Sequence, residues 1–326
     1  MIEIVKTPAK INVFLKITGV DAARSLHFLE TLIIPINIYD TIYISEAETI
    51  YVETKGVNEI IPSESNIICK IFREVERFLN RSLPGFKVVI EKTIPVGAGL
   101  GGGSTNGAGF LLFLNRHLNL GLSLDNMVDI ASKVGSDVPV FLFNSPAIVT
   151  GTGQLIEPVK IKKPDFFMLL IYPDIIINTG IAYALFDKKK LTKSTSLNIN
   201  TVRKRVNGSL KDWNSVFFND FEEVVFEKWP HLKELKLSLE KCGADTVFMS
   251  GSGSSLVAVF KSEEIRDRAY DNYFGKYRTV EKIELLTGNG ASSSGKTPDF
   301  GSGIRGFESS RPNQKHNTSE DPDENN

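Results

Sequence analysis

The stretch Pro95-Val96-Gly97-Ala98-Gly99-Leu100-Gly101-Gly102-Gly103-Ser104-Thr105 sets five glycines close together. Such a run does not propagate a helix or a strand cheaply, because glycine loses more backbone freedom on folding than any other residue. It does adopt left-handed angles readily, turning consecutive N–H groups toward one point. Upstream, Phe86-Lys87-Val88-Val89-Ile90 has strand composition, and downstream Leu111, Leu112, Leu114 and Leu118 recur at helical spacing. Strand, glycine turn and helix start is the arrangement of a phosphate-binding loop, where free N–H groups and the positive end of the helix dipole meet an anion. A packing turn with no ligand is the alternative.

The run also satisfies the dinucleotide spacing Gly97-x-Gly99-x-x-Gly102. That motif needs a second strand ending in an acidic residue about 20 residues further on. Here Leu122-Ser123-Leu124-Asp125 reads as a helix start with Ser123 as N-cap, and Met127, Val128, Ile130, Ala131 and Val134 continue the helical pattern. Helix follows helix, so the dinucleotide reading falls.

At 326 residues the chain is long enough for two domains. Its 41% hydrophobic and 24% charged residues are ordinary for a soluble globular protein. A net charge of -1 and a pI near 6.5 lack the basic footprint of a nucleic-acid binder and favour a small-molecule partner. Cys69 and Cys242 are too few for a disulfide framework, which fits a reducing compartment, and Cys69 is expected in the core. No apolar stretch approaches the roughly 20 residues of a membrane helix, and Lys6 and Lys10 interrupt the only candidate for a signal segment. A cytoplasmic protein without membrane association is expected.

Strand-like segments are expected at Ile2–Val5, Ile11–Ile17, Phe28–Ile34, Thr41–Ser45 and Ile50–Glu53. An amphipathic helix follows, with Ile67, Ile68, Ile71, Phe72, Val75, Phe78 and Leu79 as its apolar stripe and Lys70, Arg73, Glu74 and Arg77 facing water. After the glycine loop and two helices come Asp137-Val138-Pro139 and a strand pair between Ala147 and Pro158. Strands and helices mix without strict alternation, which predicts an α+β fold.

A break at Lys160–Asp165 divides an N-terminal domain, 1–160, from a C-terminal domain, 161–286. The second is expected to hold a strand at Phe166–Ile171 and helices around Ile181–Phe186, Asn214–Val225 and His231–Lys241. Strands at Val247–Met249 and Leu256–Phe260 flank a second glycine turn, Ser250-Gly251-Ser252-Gly253-Ser254; a helix at Arg266–Phe274 and a strand at Val280–Leu285 complete it. Residues 287–326 collapse to Gly, Ser, Asn, Pro and charge, and read as a disordered tail. Within it Gly290–Thr297 matches the Walker A pattern and Asp299-Phe300-Gly301 matches the protein-kinase metal triplet. Both are chance matches: Pro298 and the glycines beyond deny the helix a P-loop runs into, and no other protein-kinase element accompanies the triplet.

A phosphate loop calls for a base and a cation from elsewhere in the chain. Alternation of Ile11, Val13 and Leu15 puts Lys10 and Asn12 together on the opposite strand face, where a solvated face is the competing reading. Asp137 follows a helix end and precedes an apolar run, and is a candidate base, a turn residue or a helix cap.

Pro8-Ala9-Lys10-Ile11-Asn12, Pro95–Thr105, Gly135–Pro139 and Ser250–Ser254 stand in the order of the motifs of the GHMP small-molecule kinases. The chain resembles that family over roughly residues 1–286. Within it, the resemblance is to the kinases of a cytidine diphosphate-linked methylerythritol in non-mevalonate isoprenoid synthesis, supported by Ile17-Thr18-Gly19, His27, Asn66, Thr179 and Asn219-Asp220-Phe221-Glu222. The resemblance implies a two-lobed fold, a ribosomal protein S5 domain 2-like N-terminal lobe beside a ferredoxin-like α/β C-terminal lobe. It implies ATP, and Mg2+ with it, though no metal ligands are identified. By the same resemblance Asp137 is the base and Lys10 the cation beside it. Pro95 to Thr105 hold the ATP phosphates, with Ser104 near the β-phosphate, and Asn66 sits near the nucleoside. Asn12, His27, Thr179 and Tyr183 contact substrate, and Gly251, Ser252 and Gly253 close the cleft. A monomer or homodimer is expected.

Two departures stand out. The family's Gly-Tyr-His reads Ser25-Leu26-His27, and its Arg-x-Asp-Gly is scrambled into Asp21-Ala22-Ala23-Arg24. Leu26 offers no ring to stack, which predicts a weaker hold on the cytidine end. The competing functions are a GHMP kinase for homoserine or mevalonate, an inactive nucleotide-binding homologue, and an RNA-binding module, the last disfavoured by charge.

Overall fold

The computed structural model describes residues 2–21, 26–57, 62–189 and 197–287. The tail from residue 288 on, with its two motif matches and its expected disorder, lies outside the described residues, as do Ala22–Ser25.

The N-terminal half is a sheet overlaid by helices. In chain order its elements are β1 (Glu3–Asp21), β2 (Leu26–Ala47), β3 (Tyr51–Lys55), α1 (Ile67–Leu79), β4 (Gly85–Glu91), α2 (Gly102–His117), α3 (Leu124–Val134), α4 (Val138–Phe141), β5 (Ala147–Gly151) and β6 (Leu155–Pro158). The C-terminal half adds β7 (Phe167–Tyr172), α5 (Thr179–Lys189), α6 (Ile199–Arg205), α7 (Leu210–Asn214), β8 (Phe218–Asn219), α8 (Phe221–Lys228), α9 (Pro230–Lys241), β9 (Thr246–Met249), β10 (Leu256–Phe260), α10 (Glu263–Tyr273) and β11 (Thr279–Ile283). The first sheet runs β3-β4-β2-β1-β8, with β5 on β2 and β6 on β5; the second runs β11-β7-β10-β9.

The first four strand segments expected from sequence are two long strands. β1 and β2 form one antiparallel ribbon that passes through Pro8 and Asp40 with register shifts at Pro8/Ala9, Asn12/Phe14 and Ile17/Gly19. Bulges let a strand carry proline and polar residues without ending. The expected helix at Asn214–Val225 is corrected: α7 stops at Asn214, and Phe218-Asn219 pairs in parallel with Phe14-Leu15 before α8 begins. Helical propensity there yields to pairing with β1. Glu74 is also corrected, since it is buried against Arg77 and Lys133 rather than facing water.

The two sheets pack face to face. Ile11, Val13, Ile34 and Ile36 of the first meet Met168, Leu170, Phe248, Val257 and Val259 of the second in one core. The other face of the first sheet buries α1, α2 and α3, where Cys69 lies as expected. The other face of the second sheet, Leu169, Ile171, Leu256, Ala258 and Phe260, buries α5, α8, α9 and α10 residues. β7 and β10 are therefore apolar at almost every position, as strands buried on both faces must be. Among the described residues no helix is long and apolar enough to cross a membrane.

Candidate active site

The glycine loop is the strand-to-helix turn its sequence predicts. Gly101 is the N-cap of α2 with φ +70°, and the first helical bond runs from Thr105 N to Gly101 O at 2.9 Å. The N–H groups of Gly102, Gly103 and Ser104 precede that bond, have no partner within the helix, and belong to residues lining a cavity of about 440 Å³. Gly99 has φ +76°, and a Cβ on it would lie 2.0 Å from Ser250 O. This position admits glycine alone because the second glycine turn presses directly on the first.

Lys10 and Asn12 share one face of β1, as the alternation predicts, but the face is buried and not solvated. Lys10 Nζ donates to Asn12 Oδ1 and to Gly99 O, the latter at 2.9 Å. Burial pushes its pKa below the ordinary value, and the Asp137 carboxylate pulls it back up. Asp137 occupies the N-cap position of α4 yet makes no capping bond with its side chain. No direct ion pair joins it to Lys10 among the described residues. The carboxylate instead stands free in the cavity wall that Lys10, Asn12 and Pro95 to Ser104 also line.

The second glycine turn reaches this wall from the other sheet. Ser250 Oγ donates to Gly99 O at 3.0 Å and accepts from Asn12 N at 3.2 Å. Ser255 N donates to Ala98 O at 3.2 Å. Asn219 Nδ2 holds the turn by donating to Met249 O at 2.7 Å and Gly251 O at 2.8 Å.

Tyr183 and Thr179, on α5, also line the cavity, as do Gly251 and Ser252, and the Thr179 and Ser252 hydroxyls lie 3.0 Å apart in a hydrogen bond. The Tyr183 ring stacks on His27 at 4.2 Å and meets Phe221 edge-on. Burial, aided by Asp137, pushes the Tyr183 hydroxyl up to about 12, so it stays protonated at neutral pH. His27 lies behind Tyr183 and outside the cavity wall, with Nε2 2.7 Å from Asp187 Oδ1. Thr105 and Gly253 also lie outside that wall. Asn66 lines it and caps α1, accepting from Ile68 N at 3.0 Å and donating to Thr54 at 3.3 Å.

Sequence profiles of the GHMP kinases N-terminal domain and C-terminal region match residues 66–145 and 201–278. A 4-diphosphocytidyl-2-C-methyl-D-erythritol kinase of Parabacteroides distasonis is 32% identical over 253 residues, 78% of this chain and 90% of the relative. The chain belongs to the GHMP kinases, in the 4-diphosphocytidyl-2-C-methyl-D-erythritol kinase family. A relative of that name from Bacillus mycoides is 30% identical over 284 residues, 87% of this chain and 96% of the relative. A crystal structure of 4-(cytidine 5'-diphospho)-2C-methyl-D-erythritol kinase superposes with a TM-score of 0.70 at 23% identity, covering 87% of this chain and 99% of the other. The homoserine kinase of Cytophaga hutchinsonii superposes at 0.61 with 17% identity, covering 87% and 94%. At these identities the two structures speak for a shared fold.

Sequence reasoning missed one charged pair of this GHMP kinase. Lys92, just past the end of β4, lines the cavity and pairs with Asp40, which is fully buried in β2. Asp40 Oδ1 also accepts from Thr93 N and Ile94 N, each at 2.9 Å, which fixes the entry to the glycine loop. Burial pushes the Lys92 pKa down, against Asp40. The available signal was a lone aspartate in the apolar run Ile38-Tyr39-Asp40-Thr41-Ile42, a residue that needs a buried partner.

Proposed function

We propose that this GHMP kinase transfers the γ-phosphoryl group of ATP to the 2-hydroxyl of 4-diphosphocytidyl-2-C-methyl-D-erythritol, giving the 2-phosphate and ADP in non-mevalonate isoprenoid synthesis. The observation that carries the reading is that the Asp137 carboxylate, the Lys10 ammonium and the open first turn of α2 line one cavity. The name shared by the relatives supplies the substrate.

In this reading Asp137 accepts the proton of the 2-hydroxyl as its oxygen bonds to the γ-phosphorus and the bond to the ADP oxygen breaks. Such a base contributes roughly 10²–10⁴ in rate. Its carboxylate is available because it caps nothing. Lys10 keeps Asp137 ionised and stabilises charge spreading over the transferred group. The N–H groups of Gly102 to Ser104 hold the phosphate oxygens, and Asn66 faces the nucleoside. Asn12 and Thr179 meet the methylerythritol, and Tyr183 meets the cytidine, with His27 stacked behind its ring.

Among the described residues no cluster of three or more His, Cys, Asp or Glu could cage a metal. Mg2+ is commonly held by nucleotide phosphates with few protein oxygens, and the Ser104 hydroxyl and the Asp137 carboxylate are oxygen donors of residues that line the cavity beside the glycine loop. The Ser104 hydroxyl would join those phosphates, and the ion would neutralise charge between them. Residues Ala22–Ser25, beside Leu26, lie outside the described chain; Leu26 itself is exposed.

Purified protein supplied with ATP and, in turn, 4-diphosphocytidyl-2-C-methyl-D-erythritol, mevalonate or homoserine is expected to release ADP with the first alone. Release with mevalonate or homoserine instead sinks the substrate assignment.

A further inference from the structure

The orientation of the Asn12 amide is decided outside the residues that the family motifs mark. Thr31, buried on β2, donates its hydroxyl proton to Phe14 O at 2.6 Å. A hydroxyl has one proton, so toward Asn12 it offers lone pairs only. Asn12 Nδ2 sits 2.9 Å from Thr31 Oγ1 and donates to it. The amide oxygen must then point the other way, and it accepts from Lys10 Nζ. The result is a polar relay of one direction: Lys10 to Asn12, Asn12 to Thr31, Thr31 to the Phe14 carbonyl. All three side chains are little exposed and stand in the cavity wall, where a polar group left without its partner carries a desolvation cost.

We propose that Thr31 is a positioning residue: by accepting from Asn12 it turns the amide oxygen onto the Lys10 ammonium and fixes that ammonium between Gly99 and Asp137. Without the Thr31 oxygen the Asn12 N–H loses its buried acceptor, the ammonium alone is left to hold the amide oxygen, and the amide is free to turn away toward another acceptor. Lys10 would then keep Gly99 O, with the Asp137 carboxylate the charged group acting on it. The catalytic consequence rests on the reading of Lys10 as the cation of phosphoryl transfer; the positioning itself does not.

The test compares wild type with Thr31→Val, which keeps the shape and loses the hydroxyl, and Thr31→Ser, which restores it. In free enzyme carrying 15N-labelled lysine, the Nζ resonance missing from Lys10→Met identifies Lys10 and is titrated without substrate. Thr31→Val is expected to lower the titration point of Lys10 and to cut kcat about tenfold, with the KM for ATP nearly unmoved. Thr31→Ser is expected to return both toward wild type. A Lys10 titration that is the same in Thr31→Val and wild type overturns the proposal, whatever the activity. A shifted titration with unchanged kcat upholds the positioning and instead counts against Lys10 as a participant in transfer. Should Thr31→Val not fold, Thr31→Cys, whose thiol is a weak acceptor, is read in the same way.

Discussion

Lys10 answers two opposed demands. Its proposed work at the transferred phosphate needs a charge, while its burial disfavours one, and the Asp137 carboxylate, the Asn12 amide and the Gly99 carbonyl offset only part of the loss of water. The sign of its pH dependence follows. In the proposed reaction the charged form is the active one, so kcat is expected to hold below the depressed pKa of Lys10 and to fall as pH rises through it, short of the ordinary 10.5. For folding the sign reverses: the unfolded chain holds this proton more tightly, so the contribution of Lys10 to stability rises with pH between the two values. A kcat profile recorded beside a denaturant midpoint checks both, and a basic limb at or above 10.5 contradicts the first. Lys10 and Asn12 were legible in the sequence because alternation with Ile11 and Val13 fixes their face. Their burial was not, since the turn that covers them, Ser250–Ser254, lies in the other half of the chain. Asp137 was legible only as a candidate; the missing capping bond separates a free carboxylate from a helix cap.

The glycine loop is legible at the scale of the element because it is local: β4, the turn and α2 follow one another and each carries its own pattern. What the sequence does not distinguish is which glycine serves which purpose. Gly99 combines a left-handed φ of +76° with contact on Ser250 O, whereas a Cβ on Gly103 meets nothing within 4 Å and Gly103 needs no left-handed angle. Gly99→Ala is therefore expected to destabilise the protein by about 2 kcal/mol or more, from left-handed strain and the clash with Ser250. Gly103→Ala is expected to stabilise it by roughly 0.5–1 kcal/mol through a less flexible unfolded chain. Thermal midpoints check the pair, and equal shifts contradict the division of roles. The stretch Asn214–Val225 was misread as one helix for the opposite reason. Its break at Phe218-Asn219 is imposed by pairing with Phe14-Leu15, about 200 residues earlier, and by Asn219 reaching the second glycine turn.

At the scale of the molecule, the site exists because the two sheets share a core and so hold the two glycine turns in contact. Trp213 is almost fully buried in that shared core against Phe166 and Phe217. Fluorescence of Trp213, isolated by Trp229→Phe, is expected to follow the same urea transition as far-UV circular dichroism. Two separate transitions would mean that the halves fold independently. Lys10, the glycine loop and Asp137, drawn from three distant stretches, line one cavity, and in the proposed reaction they act on one phosphoryl group. Rapid-quench transfer from radiolabelled ATP to 4-diphosphocytidyl-2-C-methyl-D-erythritol, comparing wild type with Asp137→Asn, tests it most directly. Asp137→Asn is predicted to bind ATP with little change in Kd and to transfer the label roughly 10²–10⁴ times more slowly; transfer at the wild-type rate contradicts the account.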